Sequence, residues 1–182
     1  LVVPLLQIQG RITSMPGFLT EDKALGMKVV TYFEDNPKNN LPAILATIML
    51  FSAETGKIIA TMDGSYITAI RTACASAMAT KALANPQTGE LGILGAGVQA
   101  RTHIQALIRV RKIEKIKLYS PSGARAAAVK KEMESQVKCA IDVANSAEEA
   151  VRGADLVVTA TTAKDSILKS AWLKPGVHIN AV

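Results

Sequence analysis

Between Leu94 and Arg101 the chain reads Gly95-Ala96-Gly97-Val98-Gln99-Ala100. This is the spacing G-x-G-x-x-A, directly after the apolar run Leu91-Gly92-Ile93-Leu94 and directly before RTHIQALIRV. A strand that turns on glycines into a helix suits a pyrophosphate. Gly95 permits the tight turn, Gly97 lets backbone approach the anion, and Ala100 allows close helix packing with the helix N-terminus facing the charge. A lone match is also what a plain βα turn produces, so the surrounding elements decide. The next strand ends Tyr119-Ser120-Pro121-Ser122-Gly123-Ala124-Arg125, with no acid before Glu132. An Asp or Glu there would bond a ribose 2′-hydroxyl and repel a 2′-phosphate, whereas Ser120, Ser122 and Arg125 offer hydroxyls and a guanidinium to a phosphate. NADP(H) is therefore expected ahead of NAD(H). The competing reading is that the two serines only make the turn and cap the helix.

Two cations stand in unusual places. Arg71 falls in the early turns of a long helical pattern, where a cation meets the positive end of the macrodipole. An anionic ligand would relieve that conflict, and so would a salt bridge to Glu34 or Asp35. Lys28 alternates with Val30 and Tyr32 in a strand, which turns it to the side of apolar neighbours, where an ammonium needs an anion or a functional reason. The other reading of Lys28 is a rim lysine with a packed stem and a solvated head.

The elements that must position these groups follow two grammars. Residues 1 to about 62 carry strand-like segments, LVVPLLQI, MKVVTYF, AILATIMLF and KIIATM, separated by turn signals at Gly17, Asn36-Pro37 and Glu54-Thr55-Gly56, so an antiparallel layer is expected. Asp63-Gly64-Ser65 ends the last strand, and YITAIRTACASAMATKALA follows as one long helix up to Asn85-Pro86. From Glu90 strand and helix alternate through LGIL, KIKLY, KCAIDV, DLVVTAT and VHINAV. Ser146 with Glu149 reads as a capping box between two of them. The expected fold class is α/β: a Rossmann-type doubly wound parallel sheet over 87–182, preceded by a smaller, mostly β substrate and dimerisation domain with its linking helix over 1–86. The chain starts on Leu1 and stops at Val182 inside a strand-like run, so a fragment of a longer protein is expected, and a poor enzyme by itself.

Composition narrows the function classes. The net charge of +6 and the cluster Arg109–Lys117 invite nucleic acid. Aromatics, however, are 4% of residues and none interleaves that cluster, so a solvated helix end and strand edge is the expectation and a nucleic-acid partner is not. The longest apolar run, LPAILATIMLF, is too short for a membrane span. Cys74 and Cys139 make neither a disulfide framework nor a metal spacing, so no metal is expected and cytoplasm is the default location. His103 and His178 each lack a partner at motif spacing and read as packed core histidines.

The stretch Met62-Asp63-Gly64-Ser65-Tyr66-Ile67-Thr68-Ala69-Ile70-Arg71-Thr72-Ala73 resembles the MDGxxIT-x-x-RTA signature of the ornithine cyclodeaminase/mu-crystallin family. Lys28–Asp35, ILGAGVQA and Lys174–Ala181 carry the same resemblance from end to end of the chain. It is nearer the NADPH-dependent ketimine reductase branch than the NAD-dependent cyclodeaminases. The resemblance implies that Lys28 and Arg71 hold a substrate carboxylate near the nicotinamide. It also implies that Arg71, Thr72, Gly95, Gly97, Val98, Gln99 and Ala100 lie along the cofactor, that Ser120, Pro121 and Ser122 meet the adenosine 2′ position, beside the Arg125 read above from its residue type, and that Thr161 and Val182 approach the nicotinamide half. The implied reaction is reduction of cyclic imines bearing an α-carboxylate by a homodimer. The alternatives are an NAD-linked ornithine cyclodeaminase or amino-acid dehydrogenase, and a non-catalytic, crystallin-like binder of small ligands. Pro42-Ala43 departs from the family's usual hydroxyl after the third-strand proline, and an acid that separates cyclodeaminases would lie beyond Val182.

Overall fold

β-Branched and apolar residues dominate the first 63 positions, and they form a meander. In the computed structural model, which describes residues 1–5 and 10–182, β1 (Val2–Leu5), β2 (Gly10–Leu19), β3 (Ala24–Phe33), β4 (Ile44–Ser52) and β5 (Ile58–Asp63) pair antiparallel in that order. Leu6, Gln7 and Ile8 of the expected first strand lie outside the described residues. One expectation is corrected: Gly17 is not a turn but a mid-strand residue of β2 opposite Gly26, in a strand that the apolar alternation does not reveal. Pro16 disguised it. The Ser14 N–H donates to Leu1 on the β1 side, so Pro16, two residues on, turns its missing N–H to that same side, beyond the last β1 pair. Ser52 Oγ accepts the Glu54 and Thr55 N–H groups in the β4–β5 turn, and Gly56 takes φ +72° there.

The chain divides into two compact units, Leu1–Thr68 and Ala69–Val182. The helix α1 (Ser65–Leu83) buries Ala69, Ala73, Ala77 and Thr80, a stripe at helical spacing. Then come β6 (Glu90–Leu94), α2 (Val98–Leu107), β7 (Lys115–Tyr119), α3 (Gly123–Met133), β8 (Ala140–Val143), α4 (Ala147–Val151), β9 (Leu156–Thr159) and β10 (His178–Ala181). All five strands are parallel in the order β10-β9-β6-β7-β8, the doubly wound arrangement expected from the alternation. Ser146 caps α4 by accepting the Glu149 N–H at 3.0 Å, while the Glu149 carboxylate accepts from Asn145 N–H at 2.8 Å. Gly92 sits directly under α4: a Cβ there would lie 2.4 Å from the Ala150 carbonyl oxygen. Among the described residues no helix is long and apolar enough to cross a membrane.

Candidate nucleotide-binding site

The glycine turn closes the C-terminal end of β6. Gly95 N–H donates to the Tyr119 carbonyl and Ala160 N–H to the Leu94 carbonyl, both at 2.8 Å, which pins the turn between the ends of β7 and β9. Gly95 has φ +117°, and a Cβ on it would sit 2.0 Å from the Ala160 carbonyl oxygen, so only glycine fits. Gly97 differs: the protein itself does not exclude a side chain there. It is the N-cap of α2 with no side-chain capping bond, and a Cβ there would meet nothing within 4 Å. Ala100 is fully buried beneath that first turn, and Val98 is exposed on it. The side-chain oxygen of Gln99 is buried without a hydrogen-bond partner. An uncapped helix start, open space before Gly97 and an acceptor awaiting a donor such as a ribose hydroxyl fit a dinucleotide at this turn.

A residue the sequence reading passed over shapes the turn. Arg101 Nη1 donates to the Gly97 carbonyl at 3.1 Å and the Ala96 carbonyl at 3.4 Å, and its Nε pairs with Glu132 of α3 at 2.6 Å. The guanidinium thus occupies the turn's carbonyls and anchors them to the next helix. A cation immediately after G-x-G-x-x-A was the available signal.

The remaining expected residues gather at the same ends of the parallel strands, the side where open α/β sheets bind ligands near the reversal of strand order. Ser120 follows β7 and is half-buried, and Pro121, Ser122 and Arg125 are exposed. Ser122 Oγ accepts the Arg125 N–H at 3.4 Å as the cap of α3, leaving its own hydroxyl hydrogen to donate elsewhere. Arg125 enters no ion pair among the described residues. Thr161 follows β9 and its hydroxyl accepts from Ala163 N–H at 3.1 Å. Val182 N–H donates to the Thr159 carbonyl at 3.0 Å, carrying the β10–β9 pairing to the last residue.

Arg71 is exposed in the second turn of α1, and Thr72 beside it is half-buried. In the other unit, Lys28 is half-buried on β3, opposite Met15 of β2 and Ile48 of β4. Asp35 is taken by Lys38 at 2.6 Å. His103 is fully buried: its Nδ1 lies 2.7 Å from the Gln99 carbonyl and its Nε2 3.0 Å from Ser76 Oγ on α1. The basic cluster is largely spoken for, with Lys112 on Glu114, Lys115 on Asp142 and Lys117 on Glu90. Arg111 donates to the carbonyls of Thr80, Lys81 and Ala84 at the end of α1. Among the described residues no His, Cys, Asp and Glu group could hold a metal ion.

The model of the ornithine cyclodeaminase/mu-crystallin family matches residues 2–182. The ketimine reductase mu-crystallin of Rattus norvegicus is 39% identical over 181 residues, the alignment covering 100% of this chain and 56% of that protein. The structure of Thermococcus litoralis Δ1-pyrroline-2-carboxylate reductase in complex with NADH and L-proline superposes with TM-score 0.97 at 40% identity, over 100% of this chain and 56% of that one. An archaeal alanine dehydrogenase dimer with bound NAD gives TM-score 0.89 at 32% identity, over 98% and 54%. The chain therefore spans little more than half the length of the relatives it matches.

Proposed function

The chain belongs to the ornithine cyclodeaminase/mu-crystallin family, and we propose that the whole protein is a homodimeric NADPH-dependent reductase of cyclic imines bearing an α-carboxylate. The observation that carries this reading is the likeness to the Thermococcus litoralis reductase, whose structure holds NADH and L-proline, the reduced partner of pyrroline-2-carboxylate. Residues 87–182 would serve the nucleotide, and residues 1–86 the substrate and the second subunit. The cofactor supplies a hydride to the C=N carbon when bound. Arg71 and Lys28 hold the substrate carboxylate so that this carbon faces the nicotinamide, a positioning contribution of several kcal/mol. Gly95, Gly97, Val98, Gln99 and Ala100 receive the pyrophosphate, with Thr72 beside them; Thr161 and Val182 border the nicotinamide half. Ser120, Pro121, Ser122 and Arg125 surround the 2′ position, where the lack of an acid at the end of β7 favours a phosphate.

Full-length protein mixed with NADPH and a cyclic ketimine acid should consume the cofactor's absorbance. Ser120→Asp should move preference from NADPH toward NADH by about tenfold or more, the equivalent of about 1.4 kcal/mol. Equal affinity for both cofactors in the wild type, or no shift in the variant, would mean that these residues only make the turn. The likeness to the NAD-bound alanine dehydrogenase favours a second reading, an NAD-linked amino-acid dehydrogenase. Turnover of alanine or ornithine with NAD, and none with cyclic imines, would install it. Tight ligand binding without any turnover would mark a non-catalytic binder.

A further inference from the structure

His103 lies outside the machinery described above, yet it is a fully buried imidazole with both ring nitrogens engaged. A backbone carbonyl can only accept, so the 2.7 Å contact to the Gln99 carbonyl requires the proton on Nδ1. Burial pushes the ring's pKa below the usual histidine range, against the opposing pull of that Gln99 hydrogen bond, which keeps the ring neutral at physiological pH. Nε2 is then a bare acceptor, and the Ser76 hydroxyl, 3.0 Å away, donates to it. The result is a directed link from α1 to α2 with one orientation.

A second anchor fixes the sense of the pair of helices. Arg111, just past the end of α2, donates to the Thr80, Lys81 and Ala84 carbonyls at the end of α1. With Ser76 on His103 and the end of α1 on Arg111, the two helices run the same way and their N-terminal turns lie at one end. Thr72 is one turn before Ser76 and Gln99 one turn before His103, each on the face of its helix that makes the link. The register of the link therefore sets Arg71 and Thr72 level with the first turn of α2, the turn that carries Gln99.

We propose that the Ser76–His103 hydrogen bond is a positioning device that registers α1 against α2, so that Thr72 and Arg71 meet the cofactor bound at the glycine turn. It rests on the nucleotide reading given above. His103 touches neither cofactor nor substrate; it acts through Gln99 on one side and α1 on the other.

The test uses full-length protein and the variants Ser76→Ala, His103→Gln, His103→Leu and Ser76→Ala/His103→Leu, with NADPH and NADH binding followed by cofactor fluorescence, KM and kcat by steady-state rates, and melting of the unliganded protein. Ser76→Ala, a mild change on a helix, should weaken cofactor binding about fivefold to tenfold and raise the cofactor KM more than it lowers kcat. His103→Gln, which keeps a donor and an acceptor on one side chain, should bind within about twofold of the wild type. The double variant should bind no worse than the poorer single one, because both remove the same link. A lower melting temperature for Ser76→Ala with unchanged cofactor affinity would overturn the inference and leave a purely structural bond, as would additive losses in the double variant. Wild type that binds neither NADPH nor NADH removes the nucleotide reading itself and this inference with it, whereas a binding wild type with unaffected variants removes this inference alone.

Discussion

The two sheets of this chain are built from similarly apolar strands and end in opposite states. In the parallel sheet Leu91, Ile93, Ile116, Leu118, Leu156 and Val158 are at most 1% exposed. In the antiparallel sheet the only buried apolar side chain among the described residues is Ala46, while Phe18, Leu19, Ile58 and Ile59 are each more than half exposed. Composition does not explain this; the layers do. A βαβ alternation carries its own covering helices, and α2, α3 and α4 supply them. A meander of hairpins brings none. Its pairing leaves apolar residues on both faces, Met15, Leu19 and Met62 on the Lys28 face and Phe18, Leu45 and Ile58 on the other. Full burial of such a side chain from full exposure is worth about 1.5–3 kcal/mol, so these half-exposed faces gain a part of that wherever they are covered, which is compatible with the second subunit proposed above.

The sharpest break should come where the packed unit has no slack. Gly95→Ala places a methyl 2.0 Å from the Ala160 carbonyl oxygen at φ +117° and should cost about 3 kcal/mol or more of stability. Gly97→Ala, two residues on, meets nothing and should cost about 1 kcal/mol or less, yet weaken NADPH binding because the methyl fills the space before α2. Denaturant unfolding and fluorescence titration of the full-length variants separate the two. A Gly95→Ala protein as stable as wild type would show that the turn can move away from β9.

The contrast between the sheets can be sharpened with one charge in each. Ile116→Lys buries an unpaired ammonium in the parallel sheet and should prevent folding. Ile58→Lys, at a position 55% exposed in the antiparallel sheet, should leave the subunit folded and raise the dimer dissociation constant about tenfold, or by about 1.4 kcal/mol, in sedimentation experiments. A dimer of wild-type strength in Ile58→Lys would place the subunit interface elsewhere.

What the sequence disclosed follows the same division. Periodicity and glycine spacing are local, so the βα alternation, the cap at Ser146 and the turn at Gly95 were legible. The strand β2 was hidden by Pro16 and Gly17, because proline is tolerated there only through an edge that sequence alone does not locate. Gly92 inside LGIL was a readable sign of close backbone approach, realised under Ala150. Arg101 on Glu132, Arg111 on the end of α1 and Ser76 on His103 join residues about thirty positions apart. No window of the sequence contains both partners of any of them.

The smallest expected effect concerns how the packed sheet responds to acid. Asp155, just before β9, accepts the N–H groups of Gly89 and Glu90 at 2.8 and 2.9 Å and pairs with Lys174 at 2.5 Å, tying the starts of β6 and β9 to the segment that leads into β10. Burial pushes its pKa up, but the Lys174 and backbone hydrogen bonds outweigh that and hold it below the ordinary carboxylate value. A carboxylate whose folded pKa lies below its unfolded one stabilises fully above the unfolded value, and that stabilisation fades as pH falls through the folded one. Unfolding free energy should therefore be flat from neutrality down to the usual carboxylate range and decline below it. Asp155→Asn keeps one acceptor oxygen for the two N–H groups, but turns the atom that faces Lys174 into an NH2 that cannot accept from the ammonium. It should cost on the order of 1 kcal/mol at neutral pH and make the acid limb shallower. An acid limb as steep in Asp155→Asn as in wild type would assign the acid sensitivity to other carboxylates.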